Sequence, residues 1–217
     1  GYRTPPGMRS HRGKAMRLIV AALFAALASF SPAAAEVFQK AETGFVVRHV
    51  AEVKASPDET WAALIKPGEW WSKQHTWSAD AANLSLDARA GGCFCEVLPN
   101  KDSPRASPRG SVEHMRVVYV EQARALRMIG GLGPLQSEPV TGVLTITLKP
   151  RDGGGTRIQW EYVVGGWFRY KTDQIAPAVD SVLGEQLQWL AMKLGVETPV
   201  SVPAPAASEP SPSQPGR

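Results

Sequence analysis

Cysteine is almost missing from this chain. Of 217 residues only Cys93 and Cys95 carry a thiol, set as GGCFCE. A lone C-x-C supplies too few ligands for a metal site, even with nearby His114 added. On a flat strand, residues i and i+2 lie about 6.5 Å apart at Cα, since each residue rises ~3.3 Å. That is close to the upper limit for a bridge, so the simpler expectation is two buried thiols used as small hydrophobes.

Long apolar runs are also lacking. The longest, LIVAALFAALASF over Leu18–Phe30, has thirteen residues and one serine, short of the ~20 that span a bilayer. Arg9, Arg12, Lys14 and Arg17 precede it, and SPAAAE follows with alanines at 33 and 35. That is the layout of an export signal cleaved after residue 35. The expected product is periplasmic or secreted, with no stable membrane span once the signal is removed. Met16 offers a cleaner start than Met8, which leaves the true first residue open.

An excess of positive charge disappears with the leader. The chain has 24 Lys+Arg against 20 Asp+Glu; residues 1–35 contain five of the bases and no acid, which leaves 19 against 20. No basic run interleaved with aromatics remains, so nucleic acid is not an expected partner.

Sharp catalytic motifs are missing as well. No G-x-x-x-x-G-K-[ST], H-E-x-x-H, C-x-x-C or G-x-S-x-G occurs. GGLGP at Gly130–Pro134 lacks the third glycine and following helix of a dinucleotide site. No cofactor and no metal is expected.

The remaining sequence is well patterned. Residues 198–217 are rich in Pro, Ala and Ser and read as a disordered tail. About 160 residues, 36–197, are enough for one domain with a core. GFVVRHVAEVKA alternates over Gly44–Ala55, putting Phe45, Val47, His49, Ala51 and Val53 on one face of a strand. SPDETWAALI follows, with Ser56 as N-cap, Pro57 at the first helical position and Glu59 completing a capping box.

Six short alternating runs then occupy Leu84–Val164, as expected of an antiparallel meander. From Ala176 to Leu194, Val179, Val182, Leu183, Leu187, Leu190 and Leu194 recur at helical spacing. Pro177 would fall in the first turn of that helix, where it is tolerated. Gly184 at its middle costs about 1 kcal/mol relative to alanine, which suggests a close approach to the sheet or to a ligand.

The strand VRHVAEVKA running into SPDETWAAL, the stretches Tyr119–Glu121 and Arg124–Arg127, Gly155–Arg157 leading to Trp160–Tyr162, and the terminal helix together resemble the SRPBCC superfamily. That superfamily includes START lipid-transfer domains, polyketide cyclases, pollen-allergen-like proteins and chaperone-ATPase-activator homologues. The resemblance spans roughly residues 45–195 and is distributed, with no sharp motif. It implies an α+β helix-grip fold: a curved antiparallel sheet wrapped around a long C-terminal helix, short helices after the first strand, and an apolar cavity between sheet and helix.

On that reading EWWSKQHTWS, over Glu69–Ser78, lies at one rim of the grip. Trp70, Trp71 and Trp77 form a lip over a ligand or fill a gap in the core. Trp160 and Tyr162 line the cavity floor or fill it, with Leu183 of the helix stripe beside them. His49 faces inward, either contacting a ligand or satisfied by a neighbouring backbone group. His114 has an ambiguous facing, because both faces of its strand are apolar.

The expected function is non-enzymatic binding of a hydrophobic small molecule or lipid. The alternative is a cyclase- or dehydratase-like enzyme with His49 as acid/base. The sequence leaves the ligand and the oligomeric state open.

Overall fold

The computed structural model describes residues 37–103 and 105–201. The expected export signal over 1–35, and the tail after Ser201, lie outside the described residues. Within them the chain folds as an α+β helix-grip domain.

The opening strands are β1 (Gln39–Ala41) and β2 (Gly44–Val53), followed by helix α1 (Pro57–Leu64). Helix α1 begins as its sequence requires. The Ser56 hydroxyl accepts from the Glu59 amide at 3.3 Å, and the Glu59 carboxylate accepts from the Ser56 amide at 2.8 Å. Short 3₁₀ turns at Pro67–Glu69, Lys73–His75 and Ala81–Asn83 carry the tryptophan stretch around the end of the sheet.

The meander comprises β3 (Leu84–Leu86), β4 (Cys93–Leu98), β5 (Gly110–Glu121), β6 (Ala125–Ile129), β7 (Val140–Pro150) and β8 (Thr156–Gly166). The RDGGG turn joins β7 to β8. Gly153, Gly154 and Gly155 there have φ of 87°, 104° and 84°, a run that side-chain-bearing residues rarely adopt.

The long helix α2 covers Thr172–Lys193, and β9 covers Val196–Ser201. The nine-stranded antiparallel sheet has the order β1-β2-β8-β7-β6-β5-β4-β3, with β9 also on β2. β1 pairs with the start of β2 and β9 with its end. Two short strands thus share the β2 edge, which would otherwise present unpaired amides.

Three sequence expectations change. The boundary at Glu197 falls inside β9, so Thr198–Ser201 are strand and not tail. The Val200 amide donates to the Gln188 side chain at 3.4 Å, and the β2 edge gives these residues the backbone partners their composition could not advertise. Helix α2 starts at Thr172, a turn earlier than its apolar stripe, because the first turn is polar and exposed. Pro177 is therefore the sixth helical residue and removes one interior hydrogen bond.

The cysteines depart most. They lie half-buried on the outer face of β4 and form a disulfide, with Cα atoms 5.3 Å apart. β4 is puckered there to well under the flat-strand spacing. Directly opposite, β5 carries an extra residue, because Phe94 pairs with Met115 and Cys95 with Glu113. The skipped residue is His114.

Candidate functional site

The interior is partly filled and partly hollow. Trp160 on β8 meets Trp70 with ring centroids 6.0 Å apart, Trp70 meets Trp71 at 5.6 Å, and Trp71 meets Phe94 at 5.4 Å. Phe94 in turn stands 5.1 Å from the His114 ring. This aromatic file closes one end of the grip, where only a void of about 20 Å³ remains beside Trp70 and Trp160.

Beyond the file lies a cavity of about 400 Å³. Its walls come from Trp71, His75 and Trp77 of the tryptophan loop, His114 of β5, Leu132–Pro134, and Ile175, Val179 and Leu183 of helix α2. The volume falls within the range typical of small-ligand sites. A more open trough of about 670 Å³ runs past Lys73, Glu185, Trp189 and Lys193 on the outside of α2.

The expected residues separate accordingly. Trp71, Trp77 and Leu183 border the cavity; Trp77 stands at its edge with 57 % of its surface exposed. The Trp71 indole donates to the His75 carbonyl at 3.0 Å, which braces the loop against its own turn. Trp70, Trp160, Tyr162 and His49 do not border it.

Trp70 donates to the Ala63 carbonyl at 2.9 Å and plugs the core behind α1. Tyr162 is fully buried. Its hydroxyl donates to the Gly130 carbonyl at 2.9 Å and accepts from the Leu132 amide at 3.1 Å, pinning the loop that forms one wall. Burial pushes the phenol up to about 12, so it stays protonated and keeps both bonds.

His49 sits between sheet and helix. Its Nε2 lies 3.0 Å from both the backbone oxygen and Oδ1 of Asp180. The hydrogen-bond geometry favours the carbonyl, and both carboxylate oxygens are left without a hydrogen bond. His49 is thus enclosed between β2 and α2, apart from the residues that line the cavity.

The polar group at the cavity was not anticipated from sequence. Glu96, on the inner face of β4, is completely buried, and its Oε2 lies 2.9 Å from His114 Nε2. The same carboxylate accepts from the Trp77 amide at 3.1 Å and from the Ser78 amide. Burial alone would raise the Glu96 carboxyl. Hydrogen bonds from Ser78, the Trp77 amide and His114 outweigh it and hold the carboxyl below its ordinary value.

Burial likewise lowers His114, against the opposing pull of Glu96, so the ring is neutral near pH 7. The bulge in β5 explains its facing, because His114 and Met115 both turn inward. Re-aiming a side chain is what such bulges do. The residue after Ser78, Ala79, has φ 62°, an uncommon value for alanine.

Alternation within CFCEVL could have revealed Glu96, since it shares a face with Phe94. His75 completes the polar set, with Nε2 3.0 Å from Glu185 Oε2. The option of His114 joining the cysteines around a metal does not fit this geometry. His114 points inward to Glu96, and the sulfurs are bonded to each other on the opposite face.

No protein-family model matches the sequence, and no curated relative does. Solved structures with a similar fold include an uncharacterised protein from Rhizobium leguminosarum, 17% identical, covering 71% of this chain and 98% of that one with a TM-score of 0.48. A protein from Mesorhizobium loti is 19% identical over 69% of this chain and 94% of its own, with a TM-score of 0.43. A Staphylococcus aureus protein of unknown function is 15% identical over 70% and 96%, also at 0.43. Likeness at this level passes no activity, ligand or partner to this chain.

Proposed function

We propose that this protein is an exported, SRPBCC/START-like domain that binds a hydrophobic small molecule between the first half of α2 and the tryptophan loop. The observation that carries the reading is the cavity of about 400 Å³, walled by tryptophan, leucine, isoleucine and valine with its polar groups confined to a few positions. Apolar enclosure supplies affinity, at roughly 25 cal/mol per Å² removed from water, while a few placed polar groups set orientation. The volume suits a compact ligand of one or two rings, or a single chain, better than a two-chain lipid.

Export is supported by the basic, apolar and small-residue order of residues 9–35. The Cys93–Cys95 disulfide agrees with it, since such bonds persist in oxidising compartments.

Native mass spectrometry of protein recovered from an exporting cell tests the proposal directly. The expected result is an added mass that denaturation releases, together with a titratable tryptophan response to hydrophobic ligands that Trp71→Phe diminishes. A bare-chain mass and a flat tryptophan signal across a hydrophobic panel would remove the basis for the reading.

A further inference from the structure

The cavity is apolar except where Gln74, His75, Thr76 and His114 meet it, and the two histidines are held differently. His75 is partly exposed and pairs with Glu185 at the rim. His114 is only 8 % exposed and is fixed on three sides: by Glu96 at Nε2, by the Phe94 ring, and by the bulge in its own strand.

Glu96 already accepts from two backbone amides, so it is an ionised acceptor with no proton to give. The proton of the Glu96–His114 bond therefore belongs to His114 Nε2, which leaves a lone pair on Nδ1 of the neutral ring. Nδ1 makes no hydrogen bond among the described residues. It is also not sealed in the core, as the unpartnered side-chain atoms of Thr60, Trp160, Asp180 and Gln186 are. The ring that carries it lines the cavity.

We infer that His114 Nδ1 is a built hydrogen-bond acceptor for the ligand, and that the ligand is an apolar molecule carrying a hydroxyl, phenolic or alcoholic, which donates to it. This rests on the cavity being a ligand site. An enclosed acceptor left without a donor is costly, so such a site discriminates against an otherwise identical molecule lacking the O–H. The carboxylate behind the ring strengthens the acceptor by fixing its tautomer and orientation, as carboxylate–histidine pairs do for metal-bound imidazoles. Glu96 on β4 bonds the His114 ring directly, and His75, paired with Glu185, lines the same cavity.

The probes are 2-naphthol and 2-methoxynaphthalene, matched in ring system and differing in the donor. Calorimetric titration of the disulfide-intact protein at pH 7.5 should show 2-naphthol binding at least tenfold more tightly. His114→Phe should erase the difference between the two probes. In ¹⁵N spectra of the wild-type protein, His114 should show an unprotonated Nδ1 whose resonance moves with 2-naphthol and not with its methyl ether. This arm does not depend on the variant folding. Equal affinities in the wild type, or a protonated Nδ1, overturn the inference and leave the cavity reading standing. Failure of both probes to bind overturns the two together.

Discussion

Gly184 lies directly beneath the imidazole of His49: a Cβ added to the glycine would stand 3.0 Å from Cε1 and 3.4 Å from both ring nitrogens. The two residues come from the middle of α2 and the middle of β2, so this pair sets how closely helix and sheet approach. His49 cannot readily retreat, because its Nε2 is held at Asp180 and the residue is only 6 % exposed.

Two opposing effects act on Gly184→Ala. Helix propensity gains about 1 kcal/mol, and overpacking against a fixed ring costs roughly 1–3 kcal/mol. The variant should be destabilised by about 1 kcal/mol in urea unfolding. In a His49→Ala background the same substitution should become stabilising, since only the propensity gain remains. A stabilising effect in the wild-type background would show that the ring moves freely.

The loop wall of the cavity depends on one hydroxyl. Tyr162→Phe strands the Gly130 carbonyl and the Leu132 amide, which bond the phenol in the native protein. Unpaired buried groups of this kind cost about 1–3 kcal/mol. Gly142→Ala should be far worse, because its Cβ would lie 2.2 Å from the Tyr162 hydroxyl and 2.4 Å from the Gly130 carbonyl. Tyr162→Phe should fold with a lowered melting temperature and looser amide exchange at Gly131–Gly133. Gly142→Ala should not accumulate as folded protein, and removing the hydroxyl as well should not rescue it, since the backbone clash persists.

The disulfide acts locally. It closes only three residues, so it constrains the unfolded chain far less than a long loop would. Its position opposite the β5 bulge matters more, since β4 is shortened where β5 is lengthened. Replacing both cysteines by serine should change global stability by under about 2 kcal/mol. Amide exchange at Cys95, Glu113 and His114 should rise, and 2-naphthol affinity should fall with it. Unaltered exchange at those three positions would show that β5 keeps its bulge unaided.

These relationships explain what could be read from the chain. The order of strands, the capped first helix and the terminal helix were legible because each rests on local periodicity. Phe45, Val47, His49, Ala51 and Val53 do face inward together, and Gly184 does mark a close approach. Short edge strands carry too little pattern, so β1 and β9 were invisible without the β2 edge that recruits them. The phase of His114 was undecidable because a bulge breaks period two, and bulges leave no fixed residue signature in β5. Glu96 alternates with Phe94, and Asp180 falls on the Ala176–Leu183–Leu187 stripe, so strict phase-counting places both inside.

The Glu96–His114 pair makes acid stability specific in sign. His114 is lowered on folding, mainly by burial, so the unfolded chain takes up a proton first. Its contribution is complete above the unfolded value near 6.5 and declines as pH falls through that value toward the lower folded one. Glu96 is also lowered, with hydrogen bonds overcoming burial, so its stabilisation holds above its unfolded value near 4.5 and is lost as pH falls through the folded value. The two losses add in the same direction and follow one another on acidification. Urea unfolding from pH 8 to 4 should show falling stability that begins between pH 7 and 6, with a slope from His114 of at most about 1.4 kcal/mol per pH unit. His114→Gln should remove the upper part of that slope and keep the lower. Glu96→Gln should lower stability at every pH above 5, by about 2–4 kcal/mol, because two amides and a histidine lose their charged acceptor. A His114→Gln profile that keeps the full wild-type slope between pH 7 and 5 would place the proton uptake on another group and detach the cavity histidine from the folding equilibrium.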